Sequence, residues 1–261
     1  MRAPAADADR VLAALLELAP SGVEQVDGDG FVEFAVYGAP GELPSFPAGE
    51  GEVGGVLVKV CGEPVADDWA ERWKEFHDPV LIGDRVVVRP PWAEACPDTL
   101  DLEIDPGQAF GTGAHATTRL SLELLLDLEP RGSFADLGCG SGVLAIAAAR
   151  LGFAPITAVD NEEAALEATL ANAAVNGVAL DRVDRIDLRA GPSPAAETVA
   201  ANLMRPLLMR LAQRLPEPPT TLIVSGLLDE EADEVAGAFD PLTERRRLSS
   251  QGWSALLLSG P

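Results

Sequence analysis

FADLGCGSGVLAIAAA, residues 134–149, sets three glycines, Gly138, Gly140 and Gly142, between a strand and an alanine-rich helix. Phe134–Leu137 reads as the strand and Gly142–Leu151 as the helix, so a ligand can approach bare backbone at a helix N-terminus. The spacing is GxGxG, with Val143 where the dinucleotide fingerprint GxGxxG carries its third glycine, and this mismatch lowers a nicotinamide reading. Asp136 ends the strand, where a carboxylate is either structural or faces a cationic or amine group. Ile156–Val159 is the next strand and leads into Asp160, 22 residues beyond Gly138. A carboxylate at that crossing can accept from both hydroxyls of a ribose, and the competing reading is a cap for the helix that starts at Glu162.

Further out, strands and helices continue to alternate. Leu102–Ile104 is a short strand, Thr117–Leu128 a helix with Leu120, Leu124, Leu125 and Leu128 on one face, and Glu162–Asn176 a helix closed by Gly177. Strands follow at Val183–Leu188, Thr198–Ala201 and Thr221–Ser225, with helices starting near Met204 and Asp229. Arg245–Leu248 and Trp253–Leu258 flank Ser-Ser-Gln-Gly as an antiparallel hairpin. This pattern predicts an α/β fold with a mainly parallel three-layer sheet and a C-terminal hairpin over residues 100–261.

Residues 1–66 read as a small α/β domain. Val11, Leu12, Leu15, Leu16 and Ala19 recur at helical spacing, Phe31–Val36 alternates as a strand, Gly38–Gly55 is rich in loop formers, and Val56–Val60 is a second strand. No first strand is visible ahead of the helix, yet two strands and one helix make a poor independent domain, so a further strand or a docking surface is expected. Residues 67–99 read as a linker. DDWAERWKEFH, 67–77, is a short helix capped by Asp67 or Asp68, with Trp69 and Trp73 one turn apart as packing residues; short strands at Val80–Ile82 and Arg85–Arg89 precede Pro90-Pro91-Trp92.

Charge and cysteine usage narrow the function classes. Of 261 residues, 19 are Lys or Arg and 42 Asp or Glu, a formal net charge of −23 that disfavours a nucleic-acid substrate and favours a basic protein or a compact cation. The one compact basic run is Arg245–Arg247. Cys61, Cys96 and Cys139 are widely spaced, which supports neither a disulfide framework nor a CxxC metal site and fits a reducing cytosol. With two histidines, His77 and His115, a multi-histidine metal site is excluded. No apolar run approaches the length of a membrane helix, so a cytoplasmic chain without membrane attachment is expected.

A second string, DPGQAFGTGAHATTRLSLELL, residues 105–125, places Gly107, Gly111 and Gly113 ahead of Thr117 and Thr118 at a helix start, where a hydroxyl can cap the backbone or touch a ligand. His115 reads as a base, an aromatic wall for a substrate or a packed core residue. Asn202, in AANLMRP at 200–206, ends a strand at the carboxyl edge where the other candidates gather. Its amide can donate to and accept from an amine or a cofactor, or it caps the helix near Met204.

DLGCGSG at 136–142 with VD at 159–160 is similar to the paired motifs of the class I S-adenosylmethionine-dependent methyltransferases. FGTGAHATT at 110–118, with DDWAERWKEFHDPV at 67–80 ahead of it, resembles the ribosomal protein L11 methyltransferase family. The resemblance runs from about Asp67 to the end and implies a Rossmann-like catalytic domain joined through a linker helix to a small N-terminal substrate-recognition domain. It implies S-adenosylmethionine as cofactor, bound through Phe110, Thr117, Asp136, Gly138, Gly140, Asp160 and Asn202. It also implies methylation of amino groups of ribosomal protein L11, with Asn202 orienting the amine and His115 lining the pocket; a metal is not required. A monomer is expected. The chain departs from the family's pattern at Glu197, where an Asp commonly precedes the Asn-bearing strand, and in its short N-terminal unit. Residues 1–66 carry 11 acidic and 3 basic side chains, a surface suited to a basic ribosomal protein. The alternatives are a methyltransferase of another protein or small amine, and a binding protein that retains the fold.

Overall fold

The computed structural model describes residues 1–8, 10–11, 14–15, 24–28, 30–35, 49–61, 78–106, 115–215 and 217–260. The chain divides into two compact units, Met1–Ala70 and Glu71–Pro261.

The first unit is built on a five-stranded antiparallel sheet of β1 (Arg2–Pro4), β2 (Glu24–Asp27), β3 (Phe31–Ala35), β4 (Gly49–Val53) and β5 (Val56–Val60), in the order β2-β3-β1-β5-β4. The first strand that the sequence reading lacked is therefore present, as the chain's opening residues. It was hidden because three residues containing Arg and Pro carry no alternation long enough to read. The stretch read as loop up to Gly55 likewise contains β4, and the Gly54-Gly55 turn, with φ of 60° and 76°, closes a two-residue hairpin onto β5. Val32, Phe34, Val53, Val56 and Val58 form the core of this unit with Val11 and Leu15 from a helical segment, as the 3.6 and 2.0 residue periods of those stretches require. The helix read at 67–77, with Trp69 and Trp73, lies outside the described residues.

In the second unit, β6 (Val80–Ile82), β7 (Val86–Arg89) and β8 (Leu100–Glu103) form a three-stranded sheet in which β7 runs parallel to β8. The segment read as a linker thus shares a sheet with the strand that opens the main domain. Arg89 is buried and holds this register by donating Nε to Asp101 Oδ1 at 2.8 Å and Nη2 to Oδ2 at 2.8 Å, while its other arm meets Glu103 at 3.0 Å. A bidentate guanidinium–carboxylate pair satisfies a charge that burial alone would penalise.

The main sheet has seven strands in the order β11-β10-β9-β12-β13-β15-β14. β9 (Phe134–Leu137), β10 (Ile156–Asp160), β11 (Arg182–Arg185), β12 (Thr198–Asn202) and β13 (Thr221–Leu228) are parallel, and β14 (Thr243–Ser250) and β15 (Trp253–Ser259) add the antiparallel hairpin that the sequence announced. Alternate residues feed opposite cores. Phe134, Ala158, Ala200 and Ile223 face α1 (Ala116–Leu126), α2 (Val143–Leu151) and α3 (Glu163–Val175); Leu137, Val159, Val199 and Val224 face α4 (Arg205–Arg214) and α5 (Ala232–Ala238). Three layers result, as the strand–helix alternation predicted. Strand order reverses between β9 and β12, and in open parallel sheets the crevice at the carboxyl ends of such a pair is where ligands bind.

Candidate functional site

At that crevice lies a cavity of about 480 Å³, in the size range of cofactor pockets. Its lining includes Asp136, Gly138 and Gly140 from the end of β9 and the turn after it, Asp160 from the end of β10, and Asn202 from the end of β12. Residues separated by up to 66 positions in the chain meet because each terminates a neighbouring parallel strand on the same edge.

The glycine turn is held from below. The amides of Gly138 and Cys139 both donate to the Val159 carbonyl, at 2.8 and 3.0 Å, tying the turn to β10. Gly138, Gly140 and Gly142 all have positive φ, 80°, 52° and 81°, a conformation natural to glycine. The missing side chains make room for protein as well as ligand. A Cβ on Gly138 would stand 2.4 Å from Leu203 Cδ2, and one on Gly142 would stand 2.9 Å from Thr169. Thr169 donates to the Gly140 carbonyl at 3.0 Å, and Asn172 donates to that of Ser141 at 2.9 Å, so α3 clamps the turn. Asn172 also accepts from the Asp105 amide, and Asn176 exchanges two hydrogen bonds with Glu103. The second motif therefore starts beside the first. Cys139 is buried, and desolvation, followed by the charge of Asp136, raises its thiol well above the ordinary range, so it packs as a neutral side chain.

Asp160 ties the glycine turn to the start of the next helix and lines the cavity. Its Oδ2 accepts from the Gly140 amide at 3.0 Å and its Oδ1 from the Glu162 amide at 3.1 Å. Each carboxylate oxygen can accept a second hydrogen bond beyond these. Asp136 is 1% exposed, and Oδ2 accepts from the Ala145 amide at 3.1 Å in the first turn of α2. Burial pushes its pKa up to about 7; the Ala145 amide opposes that shift and the neighbouring Asp160 charge adds to it.

Asn202 does not cap the following helix, whose N-cap is Met204. Instead its Nδ2 donates to Thr118 Oγ1 at 3.3 Å, and Thr118, rather than Thr117, lines the cavity. Thr117 is buried one turn position away, with Oγ1 2.8 Å from His115 Nδ1 and its carbonyl accepting from Ser121 and Ser225. His115 is the N-cap of α1, where Nδ1 accepts from the Thr117 amide at 3.4 Å, and its ring stands edge-on to Trp253 at 5.0 Å. Among the described residues His115 is not one of those that line the cavity. Phe110 lies outside the described residues. Glu197 precedes β12 at the amino end, away from the site, with its amide donating to Ser133 Oγ.

Sequence reading missed the wall formed by Ile186, Asp187, Leu188 and Arg189. The strand read as Val183–Leu188 ends at Arg185, and the residues assigned to its length are the turn beyond its carboxyl end. Their position past a parallel strand was the available signal. Arg189 donates Nε to Asp187 at 2.8 Å and holds that carboxyl below the usual range. The other unforeseen support is Gly226. It forms a bulge in β13, with φ 84° and a register shift between Ser225 and Leu227, and Leu203 crosses directly over it while donating its amide to the Ser225 carbonyl at 3.0 Å. No group of His, Cys, Asp and Glu suited to a metal occurs among the described residues, and no helix among them is long and apolar enough to cross a membrane.

Comparison with known proteins agrees with this geometry. Residues 54–259 match the family model described as ribosomal protein L11 methyltransferase (PrmA). The chain is 38% identical over 262 residues to the ribosomal protein L11 methyltransferase of Sorangium cellulosum, covering 92% of this chain and 81% of that one. To the protein of the same name from Heliobacterium modesticaldum it is 40% identical, over 73% of this chain and 63% of that one. The crystal structure of ribosomal protein L11 methylase from Lactobacillus delbrueckii subsp. bulgaricus superposes with a TM-score of 0.63 at 26% identity, covering 70% of this chain and 99% of that one. Matched by that family model over most of its length and by a relative 38% identical across 92% of it, the chain belongs to the ribosomal protein L11 methyltransferase family.

Proposed function

We propose that this chain transfers methyl groups from S-adenosylmethionine to amino groups of ribosomal protein L11, on lysine side chains and on the N-terminal amine. The observation that carries this reading is the convergence of Asp136, Asp160 and Asn202 on one cavity at the switch point.

The donor set suits that cofactor. Asp160 offers paired acceptors for a ribose diol, Asp136 offers a buried carboxylate for a cationic group, and Ile186, Leu188 and Leu203 offer apolar wall for a flat base and a thioether-like chain. When bound, S-adenosylmethionine supplies a methyl group on a sulfonium, open to in-line displacement by an amine. A lysine amine titrates near 10.4 and an α-amine near 7.7–8.0 in water, so the acceptor sheds its proton to solvent before attack. Asn202, fixed by Thr118, accepts a hydrogen bond from the neutral amine through its amide oxygen and orients the nitrogen lone pair. Thr118 in turn is fixed by α1, whose first turn His115 caps. His115 thus acts on the reaction by positioning rather than as a base.

The acidic chain supports a basic protein as acceptor, and the basic run supports no nucleic-acid site. Arg246 is engaged by Asp127 and Glu123, Arg247 by Asp233 and Glu244, and Arg245 by the Ser259 hydroxyl and Gly260 carbonyl. Cations already paired within the fold release few counterions on meeting phosphate. A cytoplasmic setting, where ribosomal proteins are made, and a monomeric chain complete this reading.

The test is the intact mass of purified L11 after incubation with the chain and S-adenosylmethionine, followed by peptide mapping. Gains in single-methyl steps on amines are expected; cofactor binding without any gain would reject L11 as the acceptor. Asn202→Ala is expected to lower the transfer rate about tenfold while leaving the cofactor dissociation constant within about threefold, because orientation of the acceptor is lost and the cofactor's own contacts are kept. Titration calorimetry beside the transfer assay separates the two quantities, and an unchanged rate would remove Asn202 from the reaction.

A further inference from the structure

Met204 is 76% exposed, the most exposed large apolar side chain among the described residues, and it stands on the rim of the cavity two positions after Asn202. It is also the N-cap of α4, with φ −62° and ψ 145°, and its side chain makes no capping hydrogen bond. The slot asks little of a side chain, because Pro206 at the second helical position has no amide proton and the Leu207 amide already donates to the Met204 carbonyl at 2.9 Å. Neither core packing nor helix stability therefore explains the residue. The preceding backbone is pinned: the Leu203 amide donates to the Ser225 carbonyl and the Leu203 side chain fills the space beside Gly138. Leu203 consequently points inward, and Met204 is delivered outward at a fixed place beside the cavity mouth.

We infer that Met204 is a specificity-determining residue that packs against the methylene stem of an incoming lysine acceptor. An aliphatic stem of four carbons needs apolar surface at the rim while its nitrogen reaches Asn202. Methionine, unbranched and polarizable, adapts to stems that arrive with different neighbours, which suits a substrate modified at more than one amine. The inference rests on the proposed transfer to amines.

The experiment uses the full chain, purified L11 and S-adenosylmethionine, with peptide-resolved rates at lysines and at the N-terminal amine. Met204→Ser is expected to lower lysine methylation about tenfold, the usual scale for losing one or two apolar contacts in a pocket. It leaves the KM for S-adenosylmethionine within about twofold, does not lower Tm because the exposed side chain neither packs in the core nor caps the helix, and affects the stemless N-terminal amine less than the lysines. Met204→Leu restores most of the lysine rate. Unchanged lysine rates, or equal losses at lysines and the N-terminal amine, would overturn the inference while leaving the functional reading standing. A wild-type chain that methylates no amine of L11 would overturn both.

Discussion

At pH 8, Asp136→Asn is expected to stabilise the ligand-free chain and to weaken its binding of S-adenosylmethionine. The Asp136 carboxyl titrates near 3.8 in the unfolded chain and at about 7 in the folded one, because burial disfavours its ionised form. Well below pH 4 both states hold the proton and the group does not influence stability. Between pH 4 and 7 the folded state binds more proton than the unfolded state, so stability falls as pH rises, and above 7 the full penalty is reached. At about 1.36 kcal/mol per unit, that penalty amounts to up to about 4 kcal/mol. An asparagine keeps an oxygen for the Ala145 amide and carries no charge, so urea unfolding at pH 8 should show the variant more stable, with the advantage shrinking toward pH 4.

The wild-type penalty is recovered when a cation enters the cavity, since an opposite charge favours the carboxylate. Affinity for S-adenosylmethionine should accordingly rise from pH 6 to 7.5 in the wild type with uptake of the ligand releasing a proton. The variant should show a flat profile and bind about 30-fold more weakly at pH 7.5, the lower part of the range for removing one partner of a desolvated charge pair. Calorimetry in buffers of different ionisation enthalpy measures the released proton. Equal affinities of wild type and variant at pH 7.5 would show that Asp136 serves the α2 N-terminus alone.

Gly226→Ala should unfold or misplace the catalytic edge. At φ 84° an L-residue is strained, and an added Cβ would stand 2.5 Å from the Leu203 carbonyl oxygen and 2.8 Å from its carbon, both backbone atoms that cannot rotate away. Strain of about 1–2 kcal/mol from the left-handed backbone adds to the clash, giving a loss of roughly 3 kcal/mol or more. Whatever protein folds has Leu203 displaced, and with it Asn202, so transfer should fall by about 100-fold or beyond. Gly237→Ala is the matched control. Gly237 lies in α5 with nothing within 4 Å of its added Cβ, and alanine should stabilise that helix by up to about 1 kcal/mol with no effect on transfer. Thermal unfolding and the L11 assay on both variants read the contrast; wild-type behaviour of Gly226→Ala would mean that the crossing of Leu203 does not support the site.

The chain shows how far local pattern reaches. The parallel sheet, the closing hairpin and the glycine turn were readable because each follows from a short-range rule: alternation for strands, a 3.6-residue repeat for helices, and glycine where backbone turns left-handed. Asp160 and Asn202 were readable as ends of strands in such a sheet. Strand limits were less secure, and an overlong reading of β11 concealed Ile186–Arg189 as cavity wall. β1, β2 and β4 were missed because Arg-Ala-Pro, Glu-Gln-Val-Asp and Gly-Glu-Gly-Glu-Val gain their strand geometry from partners across the sheet, more than from their own local pattern.

By itself the sequence determined the layered α/β architecture and the edge on which the candidate groups would lie, since those depend on periodicity and on turns within a few residues. Tertiary structure decided which side chains reach the cavity. It chose Thr118 over Thr117 through a hydrogen bond between residues 84 positions apart, turned His115 into a helix cap, and assigned Gly226 to the passage of Leu203. Such choices are made by packing between distant segments, where a rotation of one helical position exchanges a buried neighbour for a lining residue and no local pattern records the difference.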